Sequence, residues 1–272
     1  MSGTNDPADL SEQVPSSQGG RRLLELVRVM ARLRGPGGCP WDAEQTHASL
    51  ARHLLEETHE ALAAIDAGDL EAVRDELGDV LLQVVFHAQI AADEGAWDVD
   101  DVAQGLVDKL VRRHPHVFGG VEVSGADEVL VNWERIKADE RGGRAVGLED
   151  DIPASLPALA RASKVQRRAA GWGFDWRTRD AAIAKLREEL DELEAAGTAQ
   201  EMEDELGDVL FAAAAVARRI GVDPESALRR TTSRFSARYE AMRTRAAAEG
   251  VDIEAMGDDE LLTFFRGSRP QE

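Results

Sequence analysis

Apolar positions along this chain recur with the period of a helix rather than that of a strand. Leu23, Leu26, Val27 and Met30 fall on one face of an amphipathic helix over 22–33, and the run Gly35-Pro36-Gly37-Gly38 ends it. A loop through Cys39, Pro40, Trp41 and Asp42 leads to Ser49, near the start of a longer helix. From Val80 to Ala92 the polar side disappears. Little more than Gln83, His87 and Gln89 interrupts the apolar residues, which predicts a buried helix. A short turn at Gly68 and Asp69 precedes it, so the stretch His53–Ile90 folds back on itself as an antiparallel helical hairpin. Further helices are expected over 99–113 (stopped by Pro115), 127–140, 158–170, 224–249 and 258–266. Alternation of β-branched residues is nearly absent and Ala, Leu, Glu and Arg abound, so the expected fold class is all-α.

The hairpin is written twice. DELGDVL at Asp75–Leu81 recurs letter for letter at Asp204–Leu210, inside a segment, Lys185–Ile220, that repeats the whole pattern and breaks near Gly197 and Thr198. The chain therefore reads as a disordered tail over 1–20, a first helical domain over 21–141, a linker rich in Gly and Pro over 142–157, and a second helical domain over 158–272. Each hairpin leaves an apolar flank that a single two-helix layer cannot cover, so pairing into four-helix bundles, through a homodimer, is expected.

Carboxylates mark both copies. The first carries Glu56, Glu57 and Glu60, then Glu76 and Asp79; the second carries Glu188, Glu189 and Glu192, then Glu205 and Asp208. Glu57 and Glu60 lie one turn apart on one helix face, as do Glu76 and Asp79, and the hairpin turns the two pairs toward each other. At the mouth of an apolar helix such groups repel one another and lose hydration, so they need a cation or they protonate. Clustered oxygen ligands suit a hard divalent ion, Mg²⁺ or Mn²⁺ in its place, and such an ion suits a phosphate substrate. Either triplet alone also reads as a solvated acidic face. The repetition in front of an apolar helix argues against that reading.

Basic residues follow each hairpin at matched places: Lys109 and Arg113 in the first copy, Arg234 and Arg238 in the second, each pair one turn apart. They fit phosphate binding, and equally ordinary ion pairing in an acidic protein. Lys185, one turn before Glu188 and Glu189, is a further phosphate candidate, and its counterpart is His53. Trp133 offers a face for stacking on a base, or for the core. His59 completes a Glu-x-x-His of the di-iron kind, but its equivalent in the second copy is Asp191, so a paired di-iron site is not written here. His114 and His116 read as loop anchors.

A formal charge of −20 argues against general binding of nucleic acid, and means that a polyphosphate needs metal ions and local cations to bind. One cysteine, Cys39, forms no intramolecular disulfide and is compatible with a reducing cytoplasm. The first twenty residues are too polar for a signal peptide, and the apolar runs are far shorter than the roughly 18 residues of a membrane span.

Glu-Glu-x-x-Glu, a spacer, then Glu-x-x-Asp resembles the signature of the MazG family of nucleoside triphosphate pyrophosphohydrolases. GPGGCPWDAEQTHASL (35–50), RRHPHVFGG (112–120), NWERIKADER (132–141), DDIPASLPAL (150–159) and GFDW (173–176) extend the likeness over about 21–266. The resemblance implies cleavage of an NTP between the α and β phosphates, giving NMP and pyrophosphate, in the service of nucleotide-pool house-cleaning. In that reading Mg²⁺ is held by Glu57, Glu60, Glu76 and Asp79, and by Glu189, Glu192, Glu205 and Asp208. Glu56 and Glu188 would then position or deprotonate the attacking water. Family precedent places catalysis in the C-terminal repeat. Two departures touch that repeat: LLTFFRGS leaves only Phe264 or Phe265 where relatives close the site with Trp, and Glu201 stands where some carry a basic residue. The alternative function is a Mg-nucleotide-binding regulatory or structural helical protein with one or both sites inactive.

Overall fold

The computed structural model describes residues 20–125 and 147–268, with Val129, Asn132, Trp133, Ile136 and Glu140 between them. The polar tail and most of the helix expected over 127–140 lie outside the described residues. Those described are helical, with no strand among them. The chain divides into two compact units, Met1–Arg144 and Ala145–Glu272.

The first unit contains α1 (Arg21–Arg34), α2 (Pro40–Glu44), α3 (His47–Ala67), α4 (Leu70–Asp93), α5 (Val99–Arg113) and the single turn α6 (Pro115–Phe118). The α2 turn occupies what the sequence suggests is loop, because Pro40 sits at its first position, where a missing N–H costs nothing. Gly38 makes the preceding turn possible: a Cβ there would lie 2.1 Å from the carbonyl oxygen of Leu33. Thr46 and Ser49 cap α3 reciprocally. Gly68, at φ +73°, ends it in the left-handed region that glycine enters freely, and Asp69 then caps α4 through the amides of Glu71 and Ala72. α3 and α4 form the expected hairpin, and α1 packs on α4.

Met30, Leu50, Val85, Phe86 and Ile90 make the core, with Leu26, Val27, Leu82 and Val99 packed against it. Burying each such side chain stabilises by about 1.5–3 kcal/mol. Arg34 ties three elements together: its Nε donates to Asp93 at 2.7 Å, and its Nη1 donates to the carbonyls of Asp42 (2.6 Å) and Gln45 (3.2 Å). The expected buried helix is buried on one side only. Gln83, Val85, Phe86, Ala88, Ile90 and Ala91 face inward, while Leu81 and Val84 stay exposed, since two helices and α1 leave a flank uncovered.

The second unit contains α7 (Ala158–Gly171), α8 (Arg179–Ala195), α9 (Ala199–Arg219), α10 (Pro224–Glu249), a 3₁₀ turn (Ile253–Ala255) and α11 (Asp258–Gly267). Thr178 caps α8, and Thr198 with Glu201 forms the capping box of α9. The α8–α9 pair is the second hairpin, and its inward residues are mostly small: Ala182, Ala212, Ala214 and Ala215 are buried, with Met242 and Ala246 from α10. Gln166 of α7 donates to the Phe211 carbonyl at 2.7 Å. Asp175, in the loop before α8, takes ion pairs from both Arg218 and Arg219 at the end of α9, where cations also complement the helix dipole. Residues 147–157, in the stretch expected to link the halves, are held to α7. Arg168 donates to the carbonyls of Gly147, Leu148 and Asp150, and Arg161 pairs with Glu149.

Candidate functional site

The short turn at Gly68 sets α3 and α4 side by side, and Glu57 of α3 meets Glu76 and Asp79 of α4 there. Oxygens of all three lie within 4.8 Å of one another. These two α4 residues sit in its second and third turns, not at its mouth, because the helix already starts at Leu70. Glu60 stands outside this group, near enough to act on it by charge. Lost hydration pushes the Glu57 carboxyl above the ordinary range, and the charges of Asp79, Glu60 and Glu76 push it further. The His53 imidazole works in the opposite sense. The His53 Nδ1 is 3.1 Å from Glu56, which is exposed.

The second hairpin brings together Glu189 and Glu192 of α8 with Glu205 of α9, again within 4.8 Å. Asp208 stands outside this triad. Glu188 and Glu189 share a counter-charge that the first unit does not reproduce: Lys185 Nζ lies 2.6 Å from Glu188 and 2.8 Å from Glu189. That ammonium holds the Glu189 carboxyl below the ordinary range, although burial opposes it. Glu192 moves up, because it is hydrogen-bonded to Glu189 and partly desolvated beside it. Lys185, bonded to two carboxylates, is pushed upward. Its expected role toward phosphate is thus joined by an ion-pairing role inside the cluster.

The remaining expected residues are placed less uniformly. Lys109 is exposed on α5. Arg113 pairs with Glu140 at 2.7 Å, as does Arg112, and its guanidinium lies 6.0 Å from the Trp133 ring. Glu140 is held down to about 2, chiefly by its hydrogen bond from Arg113 and then that from Arg112. Arg234 is exposed and donates to Thr231 at 3.0 Å, while Arg238 lies 5.6 Å from the Phe265 ring. Phe264 lies under Arg245 at 4.2 Å. Loop anchoring by His114 is as expected: its Nδ1 is 2.6 Å from the Leu110 carbonyl.

Three further groups of side chains gather where the spacing of the carboxylates does not single them out. Phe235 stacks with Tyr239 (6.3 Å) and packs on Phe265 (5.3 Å), beside Arg238. Its signal was Arg-Phe-x-x-Arg-Tyr at 234–239, cation and aromatic advancing together by one turn. Trp41 sets its edge against His53 (6.3 Å) and Phe86 (6.4 Å), which places an aromatic ring beside the imidazole that touches Glu56. Nearby, the Nδ1 atoms of His47 and His87 are 2.7 Å apart, with Trp97 alongside His47. Burial, and then His47, lowers the His87 pKa.

The donor set of both triads fits a hard divalent cation. Every converging atom is a carboxylate oxygen, without the imidazole or thiolate that zinc prefers. Around an octahedral ion with bonds of about 2.1 Å, adjacent oxygens lie about 3.0 Å apart and opposite ones about 4.2 Å, so the three oxygens of either triad would draw in further to share one ion.

Residues 45–118, from the end of α2 through α6, match the family model described as the MazG nucleotide pyrophosphohydrolase domain. A "Nucleoside triphosphate pyrophosphohydrolase" of Escherichia coli K12 is 45% identical over 258 residues, covering 92% of this chain and 98% of that protein. The "Nucleoside triphosphate pyrophosphohydrolase/pyrophosphatase MazG" of Thermotoga maritima is 43% identical over 245 residues, covering 90% and 94%. A Mycobacterium tuberculosis protein also called "Nucleoside triphosphate pyrophosphohydrolase" is 48% identical over 162 residues, covering 59% of this chain and 48% of that one. With the hairpin, its carboxylates and near end-to-end likeness all in agreement, the chain belongs to the MazG family.

Proposed function

We propose that this enzyme hydrolyses nucleoside triphosphates, ribo- or deoxyribo-, between the α and β phosphates, yielding NMP and pyrophosphate, in nucleotide-pool house-cleaning. The observation that carries the reading is the carboxylate triad built twice on identical DELGDVL helices, in a chain whose full-length relatives bear that activity's name. Mg²⁺, or Mn²⁺, held by Glu57, Glu76 and Asp79 or by Glu189, Glu192 and Glu205, with Glu60 and Asp208 beside them, would polarise phosphorus and acidify water. Glu56 and Glu188, exposed and outside the two triads, would orient a water and accept its proton. Arg234, Arg238 and Lys185 in the second unit, and Lys109 with Arg113 in the first, supply positive charge for the leaving pyrophosphate. Trp133 in the first unit, and Phe235 with Phe265 in the second, offer flat faces for a base.

Each domain forms its own site, and the chain works as a cytoplasmic homodimer that does not bind nucleic acid. Support for the dimer comes from the exposed Leu77, Leu81, Leu206 and Leu210, matched positions of the two hairpins whose burial would complete a four-helix layer. Support for the rest is the charge of −20, the lone Cys39, and the finding that no described helix is long and apolar enough to cross a membrane. A second reading, a regulatory or structural Mg-nucleotide-binding protein with one or both sites inactive, is favoured for the second site by one observation: Lys185 already pairs with Glu188 and Glu189. Pyrophosphate release with Mg²⁺, across canonical, deoxy and damaged NTPs, by the purified parent and by variants with one cluster disabled (Glu76→Gln or Glu205→Gln), decides between them. Binding without release would leave only the second reading.

A further inference from the structure

We infer that Lys185 acts as a built-in counter-ion, so that the second carboxylate cluster takes a divalent ion only together with a triphosphate, whereas the first takes the ion by itself. The inference rests on the metal-and-phosphate reading above and concerns the order in which the two sites are filled. In the second unit the Lys185 ammonium is bonded to Glu188 at 2.6 Å and to Glu189 at 2.8 Å, and the Glu189 side chain is only 8% exposed. Little water competes for that carboxylate, so the ammonium is its principal partner. Glu192 and Glu205 complete the cluster beside it.

A divalent ion approaching this cluster alone meets a fixed positive charge a few ångströms away and must displace it from Glu189. The displaced ammonium would lose its buried partner, Glu189, and keep only the exposed Glu188. A triphosphate removes both costs, because its anionic oxygens receive the ammonium as the carboxylates release it. Among the described residues the first hairpin has no such device. The equivalent position is His53, whose ring bonds to Glu56 rather than to Glu57, so no ammonium is held against the triad there. Glu57 instead faces Asp79, Glu60 and Glu76, a set of like charges that a divalent ion relieves directly.

The test is Mn²⁺ binding to the full chain, followed by electron paramagnetic resonance, with and without the non-hydrolysable α,β-methylene analogue of ATP. With the first cluster disabled by Glu76→Gln and Asp79→Asn, the analogue should tighten Mn²⁺ binding by about tenfold or more. Lys185→Met in that background should bind Mn²⁺ about tenfold more tightly alone and lose the dependence on the analogue, while Lys185→Arg keeps it. The reciprocal variant guards against mere misfolding. With the second cluster disabled by Glu192→Gln and Glu205→Gln, His53→Lys should weaken analogue-free Mn²⁺ binding of the first by a similar factor. Unchanged Mn²⁺ affinity in Lys185→Met or in His53→Lys, with helicity intact by circular dichroism, overturns the inference. No Mn²⁺ binding at either cluster removes the metal reading and the inference together. The expected binding pattern without any pyrophosphate release would uphold the inference and remove only the hydrolytic reading.

Discussion

The two hairpins share their carboxylates and their central heptapeptide, yet they are supported from behind in opposite ways. Where α4 presents Gln83, Val85 and Phe86 to the interior, α9 presents Ala212, Ala214 and Ala215 at the matching places, and all six are buried. The first unit fills its interior with large side chains against Met30 and Leu50; the second closes the helices over small ones and pins the end of α9 to Asp175 through Arg218 and Arg219. Both hairpins thus bring three carboxylates together in front of different packing, so their gathering does not require one particular set of core side chains. Close to the chemistry, His53 of the first copy stands against Lys185 of the second, and His59 against Asp191.

The largest expected effect tests whether the clusters are functionally equal. Glu76→Gln and Glu205→Gln remove matched members of the two triads. The double variant should release pyrophosphate about 10²-fold or more slowly, since a lost ligand leaves both metal and phosphate poorly neutralised. Each single variant should keep part of the activity, with Glu205→Gln losing the larger share. A Glu205→Gln enzyme of undiminished turnover would put all the chemistry in the first unit.

The difference in packing predicts opposite sensitivities. Phe86→Ala should destabilise the first unit by about 3–5 kcal/mol, as a deleted core aromatic does. The second unit offers no comparable deletion on α9 and should instead be hurt by addition, Ala214→Leu costing about 1–3 kcal/mol. Urea unfolding with a probe in each unit checks both. Equal tolerance of Ala214→Leu would mean that the alanine interior has room to spare.

Gly78 and Gly207 sharpen the comparison where the units agree. Each lies inside a helix, and a Cβ added at either would meet nothing within 4 Å. Replacement by Ala should therefore stabilise by about 0.5–1 kcal/mol apiece in thermal unfolding. A stabilised variant that has lost turnover or self-association would show that these glycines admit something outside the chain, substrate or a second copy.

The smallest effect concerns pH. Glu140, held down to about 2 by Arg113 and Arg112, lies below its ordinary value of 4.5 in the folded state. Its contribution is therefore fully present above that ordinary value and is lost as pH falls from there toward about 2. Melting temperatures of the parent and of Glu140→Gln should converge across that window. A constant gap would mean that the pair contributes nothing in solution.

Much of this was legible beforehand because helices announce themselves locally. The Asp69 cap, the turn at Gly68 and the repeated heptapeptide are all written within a few residues of where they act. The bounds of α5 and α10 could be read from Asp98, Pro115, Pro224 and Gly250 alone. What escaped depends on rotation about helix axes and on approach from distant sequence. Spacing alone put Glu60 and Asp208 with their neighbours, but each triad gathers only three of its four carboxylates, leaving out Glu60 in the first hairpin and Asp208 in the second. Trp41 reaches His53 and Phe86 only because the turn after Gly38 is tight enough to fold α2 back, a long-range contact without periodicity.

The turn at Gly68 also has a consequence for how the chain is made. Because α3 and α4 are consecutive, closing their hairpin has a low loop-entropy cost, and it should be an early event as the N-terminal half leaves the ribosome. That same event drives Glu57, Glu76 and Asp79 together. The later hairpin carries its own neutralising charge on α8, one turn from the residues that need it. The earlier one does not, so its closure should quicken when divalent cations are supplied during refolding, and the first half of the nascent chain would depend on its ionic surroundings before the second half exists.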